Sequence, residues 1–199
     1  IDLNSYSSNV NTGTISGGGL CITQETEVQL YECLFSECRT KGNGAGALIC
    51  QRIENDKFDT LSQVKALNVT YCCFQRCYFT DPNKYGVGLL VCGKITQISF
   101  ISATNCPKKN DDGTISNVPE GAQFDIKSYN QGSQIVSSNV NTTGGYSLYC
   151  SGIEYRQSHS GIFKYQTVTN MRGKFATSFT DLNSNFDIFR RVETSEFVI

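Results

Sequence analysis

The sequence has no tryptophan, a single methionine and a single histidine. No apolar run approaches the roughly 18 residues that a membrane span requires. Any Ser-His-Asp or Cys-His catalyst would have to use the one histidine, His159. It sits in Gln157-Ser158-His159-Ser160-Gly161, which reads as an exposed turn. Scarce histidine also removes zinc chemistry except at an all-cysteine site, and no two cysteines have the C-x-x-C spacing of a zinc ribbon or redox dithiol. Neither sign of charge is in surplus: 18 acidic against 17 basic residues leave −1, which argues against a general nucleic-acid binder. With 18% charged and 39% hydrophobic residues, the chain is not a disordered charged tail. There is no signal-peptide pattern and no initiator methionine, and the last residues, Glu196-Phe-Val-Ile199, stop in mid-pattern. Residues 1–199 therefore read as one domain, a fragment or trimmed region of a longer chain.

Cysteine, by contrast, is plentiful: Cys21, Cys33, Cys38, Cys50, Cys72, Cys73, Cys77, Cys92, Cys106 and Cys150. An even count permits disulfides and an oxidising compartment. Free thiols packed as small hydrophobes are the alternative, and the spacing favours it for most of them.

That spacing is a repeat. Gly17-Gly-Gly-Leu-Cys-Ile22, Gly44-Ala-Gly-Ala-Leu-Ile-Cys50 and Gly86-Val-Gly-Leu-Leu-Val-Cys92 each open on Gly-x-Gly and continue as a short apolar run. A strand-like segment follows each, beginning near Val28, Leu67 and Thr96. Written one under another, Leu30, Val69 and Ile98 align, then Cys33, Cys72 and Ile101, then Phe35, Phe74 and Ala103, then Cys38, Cys77 and Cys106. The offsets are 39 and 29, the excess lying in a polar insert at 51–63; a second insert occupies 107–119. Weaker copies follow. Gly121-Ala-Gln-Phe-Asp-Ile126 continues the glycine-led segment and Ile135-Val-Ser-Ser-Asn139 the strand, and Ile162-Phe-Lys164 returns as Ile188-Phe-Arg190, offset 26. Ser-Ser-Asn-Val-Asn-Thr occurs at both 7–12 and 137–142.

A period of this size built only from short strands, with no capped helical stripe, predicts a right-handed parallel β-helix of about six to seven coils. Like residues then lie over like residues, with inward aliphatic, phenylalanine and cysteine columns. A β-sandwich or jelly roll is the alternative; it also spaces short strands evenly but does not predict equal residues at a fixed period.

Gly18-Gly19-Leu20 with Phe35-Ser-Glu-Cys38, and Gly44-Ala-Gly46 with Phe74-Gln-Arg-Cys77, resemble the Gly-Gly-Ala-Ile and Phe-x-x-Asn repeats of the polymorphic outer membrane proteins of chlamydiae. They are also similar to the right-handed β-helix surface proteins of trichomonad protists. The good matches cover residues 17–106, with traces to 152, and cysteine twice replaces the family asparagine. The resemblance implies a passenger domain for adhesion or surface display and carries over no enzymatic residue.

Other motifs are weaker. Gly42-Asn-Gly-Ala-Gly-Ala47 imitates a dinucleotide fingerprint, but it follows no apolar strand and opens no helix, so it reads as a turn. A glycosidase on this fold needs acids gathered on one face. Asp56, Asp59, Asp81, Asp111 and Asp112 lie mostly in inserts and turns, while Asp125, Asp181 and Asp187 are scattered. Asn68-Val-Thr and Asn141-Thr-Thr are glycan acceptor patterns, the first on an outward strand position and the second at a turn. Tyr31, Tyr71, Tyr149, Tyr155 and Tyr165 are candidates for an exposed sugar- or protein-binding strip, or for stacking along a sheet face.

The expected function is a non-enzymatic, cysteine-rich module for adhesion or assembly, extracellular or at the cell surface. It uses no cofactor and no metal, and its partner is a protein or glycan on another surface or further copies of itself. A polysaccharide lyase or hydrolase on the same fold is the second reading, and an intracellular lattice protein with reduced cysteines the third.

Overall fold

The computed structural model describes residues 17–22, 27–50, 66–80, 84–107, 122–127, 133–156, 160–180 and 186–198. The 7–12 copy of the hexapeptide, His159, the insert at 51–63, all of the second insert but Pro107, and Asp56, Asp59, Asp81, Asp111, Asp112 and Asp181 lie outside the described residues.

Every assigned element is a β-strand. The first lap of the chain contributes β1 (Leu20–Ile22), β2 (Val28–Tyr31), β3 (Leu34–Ser36) and β4 (Arg39–Thr40). The second repeats the set as β5 (Ala47–Cys50), β6 (Ala66–Thr70), β7 (Cys73–Gln75) and β8 (Tyr78–Phe79). Later laps run their middle segments together: β9 (Leu89–Cys92) and β10 (Ile95–Thr104), β11 (Phe124–Lys127) and β12 (Gln134–Thr143), β13 (Cys150–Arg156) and β14 (Ser160–Arg172), β15 (Phe175–Thr180) and β16 (Phe186–Val198).

These strands form three sheets. The first runs β1-β5-β9-β11-β13-β15, the second β2-β6-β10-β12-β14-β16 with β3 and β7 continuing onto β10, and the third pairs β4 with β8. Every named strand pair is parallel, including β2–β6, β10–β12 and β14–β16, so the antiparallel sandwich is set aside. The protein is all-β with stacked parallel sheets. Among the described residues, no helix is long and apolar enough to cross a membrane.

Register follows the inward side chains. Leu30 pairs with Val69 and Val69 with Ile98; Phe35 pairs with Phe74 and Phe74 with Ala103. The interior is one continuous core, in which the Phe74 ring stacks on Phe35 (centroids 4.9 Å apart) and meets Phe124 of the first sheet edge-on at 5.5 Å. One alignment from the sequence needs correcting. Ile188 lies beside Phe163, not Ile162, so the offset at this point is 25 rather than 26. Phe163 is buried and Ile162 only half-buried, and a slip of one residue would exchange their faces.

The bends between segments explain the spacing of the columns. Glu32, Tyr71, Phe100, Asn139 and Tyr165 all have φ between 50° and 53°, and the flanking register stacks them in one column. A second left-handed column holds Glu37, Arg76, Asn105, Gly144 and Asn170. Each such residue turns the chain and restarts the inward–outward alternation. Inward positions therefore fall at 28 and 30, then 33 and 35, then 38, a rhythm that neither helix nor straight strand produces. The corner amides stay bonded to the next lap: Tyr71 N–H donates to Ser99 O at 3.2 Å and Arg76 N–H to Thr104 O at 3.0 Å.

Candidate functional site

Three groupings of chemically capable side chains stand out: the thiols inside the corners, a pair of carboxylates on the first sheet, and the residues outside the first corner.

Each inner-corner cysteine directly follows a left-handed residue, and its thiol reaches back across the bend. Cys33 donates to Tyr31 O (3.4 Å), Cys72 to Thr70 O (3.3 Å), Cys38 to Ser36 O (3.7 Å), Cys77 to Gln75 O (3.7 Å) and Cys106 to Thr104 O (3.6 Å). Sulfur suits the position because it is compact and a weak donor. Cys72 neighbours Cys33, and Cys77 neighbours both Cys38 and Cys106. The second column continues through Gly145 to Met171, the only methionine of the chain. There the thioether sulfur accepts the Gly145 N–H at 3.2 Å and the Gln123 amide at 3.6 Å. A side chain at Gly145 would collide with that sulfur. The continuation follows from adding the offsets 39 and 26 to Cys106.

Three of these thiols, Cys38, Cys72 and Cys77, are held protonated by their surroundings. The hydrogen bond to Cys77, with burial, raises the Cys38 pKa; the bond to Cys106 does the same for Cys77; burial pushes Cys72 up to about 11. The groups stay protonated in the fold at pH values where the unfolded chain ionises, from the ordinary thiol pKa of 9.0 upward. The folded state then holds more protons than the unfolded one, so their contribution is complete below pH 9 and is lost as pH rises towards 11. Urea melts should give a constant midpoint from pH 7 to 8.5 and a falling one above 9. A flat profile to pH 11 would refute this. Among the described residues, no group of three or more His, Cys, Asp or Glu is placed to hold a metal ion.

Asp125 and Glu154 are neighbours in register on β11 and β13, an adjacency hidden in the sequence by the 29-residue offset between them. Paired carboxylates can serve glycoside hydrolysis where substrate reaches both. Both are buried here, however, and so are not presented to a sugar ring at the surface.

The outside of the first corner differs. Tyr71, Phe100 and Tyr165 occupy left-handed positions, with 47%, 48% and 63% of their surface exposed. The Tyr71 ring stacks on Phe100 at 4.9 Å, and Tyr31, from the neighbouring column, meets Tyr71 edge-on at 5.5 Å. Tyr31, Tyr71 and Phe100 form a ridge along the stack, and Tyr165 stands in the same column beyond Asn139. Of the tyrosines read as a candidate strip, Tyr31 and Tyr71 belong to it, and Tyr165 is exposed further along the same column. Tyr149 is exposed elsewhere, beside the Lys174 ammonium at 4.8 Å. Tyr155 is a correction: it is fully buried, packed on Phe163, bonded to Ser137 (2.7 Å) and Gln166 (2.6 Å), and its phenol pKa is raised by burial. Ser137 and Gln166 signal this network as polar residues in otherwise apolar columns. Phe100 was missed because the alignment followed the inward residues; its signal is its place between Ile98 and Ile101.

Both acceptor asparagines lie on strands. Asn68 is half-buried on β6, between inward Leu67 and Val69. Asn141 is exposed within β12, not at a turn, because β12 runs on to Thr143 before Gly144 bends the chain. Comparison with family models, with curated proteins and with solved structures finds no match for this chain.

Proposed function

We propose that the chain is a right-handed β-helix module of six to seven coils, displayed at a cell surface or secreted, that works by contact and not by catalysis. The observation that carries this is the aromatic ridge. A non-glycine residue in the left-handed region costs roughly 1–2 kcal/mol, and asparagine or glycine tolerates it better than tyrosine or phenylalanine. The chain uses asparagine at Asn139 in the same column, so bulky exposed rings at Tyr71, Phe100 and Tyr165 run against stability. Strain retained on a surface is a mark of function. The resemblance to surface β-helix repeats points the same way.

The double variant Tyr71→Asn/Phe100→Asn tests the reading. Its stability should stay within about 1 kcal/mol of the parent, lost stacking being offset by relief of backbone strain. Its attachment to host cells or coated surfaces, or its self-association, should fall at least tenfold. Equal attachment by parent and variant would refute the proposal.

A second reading, an intracellular lattice protein with reduced cysteines, is favoured by the corner thiols donating hydrogen bonds that a disulfide would remove. A free-thiol count on untreated protein separates the two: ten free thiols support the lattice protein.

A further inference from the structure

Beside the ridge, just past the first corner, the second sheet turns one row of side chains outward on each lap. Over five laps, from β3 through β7, β10, β12 and β14, none of these outward positions carries a charge. β10, β12 and β14 present Ser102 and Thr104, Asn141 and Thr143, and Thr167 and Thr169, in register. Among the described residues, the side chains of Thr104, Asn141, Thr143, Thr167 and Thr169 make no hydrogen bond within the chain. Of the nearby charges, Arg76 and Glu37 form an ion pair in the second corner, Glu32 begins the left-handed column, Lys164 precedes Tyr165, and Glu193 on β16 pairs in register with Thr167 where the face ends.

We infer that this face and the ridge together bind a linear, uncharged polysaccharide lying along the stack. The inference rests on the contact function proposed above and names its partner. Neighbouring strands of the sheet lie about 4.8 Å apart along the stack, so hydroxyl and amide groups recur along it at that interval, as the hydroxyls of an extended sugar chain also recur along its length. Neutral hydroxyls and an amide offer donors and acceptors together, as sugar hydroxyls do. The aromatic ridge supplies apolar contact for the C–H faces of the rings. An anionic polymer would find no compensating cation on the face, and a protein partner would leave the row of hydroxyls and Asn141 in need of matched polar groups.

Asn141 lies in the middle of the face, so an attached glycan would cover it; the test uses the full chain made without glycosylation. Affinity electrophoresis through gels containing hydroxyethylcellulose, laminarin, yeast mannan or galactomannan, with heparin and polygalacturonate as anionic comparisons, reads binding directly. At least one neutral polymer should retard the protein. Thr143→Val/Thr167→Val, which keeps strand propensity and removes two hydroxyls, should weaken that binding at least tenfold with an unchanged urea midpoint. Retardation by no neutral polymer, by the anionic ones only, or to the same extent in the valine variant overturns the inference. Cell attachment that depends on Tyr71 and Phe100 but survives enzymatic removal of surface glycans also overturns it, while leaving the contact function standing. Attachment indifferent to those rings removes both.

Discussion

Replacing Phe74 with alanine lowers the stability of the protein by about 3–5 kcal/mol. Phe74 is 1% exposed and is the one ring in contact with both Phe35, on the lap before it, and Phe124, across the interior on the first sheet. Truncation loses the burial of the ring and leaves a cavity between sheets tied to hydrogen-bonded laps, which limits collapse. Phe35→Ala, at the edge of the described stack and without the cross-interior contact, should cost less. Equilibrium urea unfolding of the two variants gives the comparison. A loss below about 1.5 kcal/mol for Phe74→Ala, or a larger one for Phe35→Ala, would contradict the single continuous core.

Gly46→Ala should destabilise by about 2–3 kcal/mol, an unusual loss for a change of one methyl group. A Cβ at Gly46 points at the Gly88 carbonyl oxygen of the next lap and comes within 2.6 Å of the Phe74 ring. Neither can retreat easily. The Ala47 N–H donates to Gly88 O at 2.9 Å, the Gly46 N–H donates to Val87 O at 3.1 Å, and the Phe74 ring is held on both sides. Parting the laps would stretch those bonds together. Gly88→Ala is the control: its Cβ meets nothing closer than 3.1 Å, and Gln123 already holds that column one lap on. Equal losses in the two variants would show that the close approach at Gly46 is not what requires glycine.

The columns were legible in the sequence because stacking is a one-dimensional relation. Where parallel strands stack at a steady offset, residues that share an environment recur at that offset, and Cys38, Cys77 and Cys106 or Phe35 and Phe74 can be read off by alignment. Where the offset drifts, alignment fails, and it failed by one residue at Ile162 and Ile188. The Ser137–Tyr155–Gln166 network was hidden for another reason: Tyr155 belongs to the first sheet and its partners to the second, and no period relates residues on different sheets.

The amino-acid order alone determined the strand content, the parallel stacking and the repeating apolar columns of the interior, since each follows from alternation and period. Tertiary structure decided which aromatic residues face solvent and which carboxylates become neighbours. The reason is the left-handed corner: one residue with φ near 50° shifts all later side chains to the opposite face, and no local pattern marks where a tyrosine, rather than an asparagine, is made to adopt it.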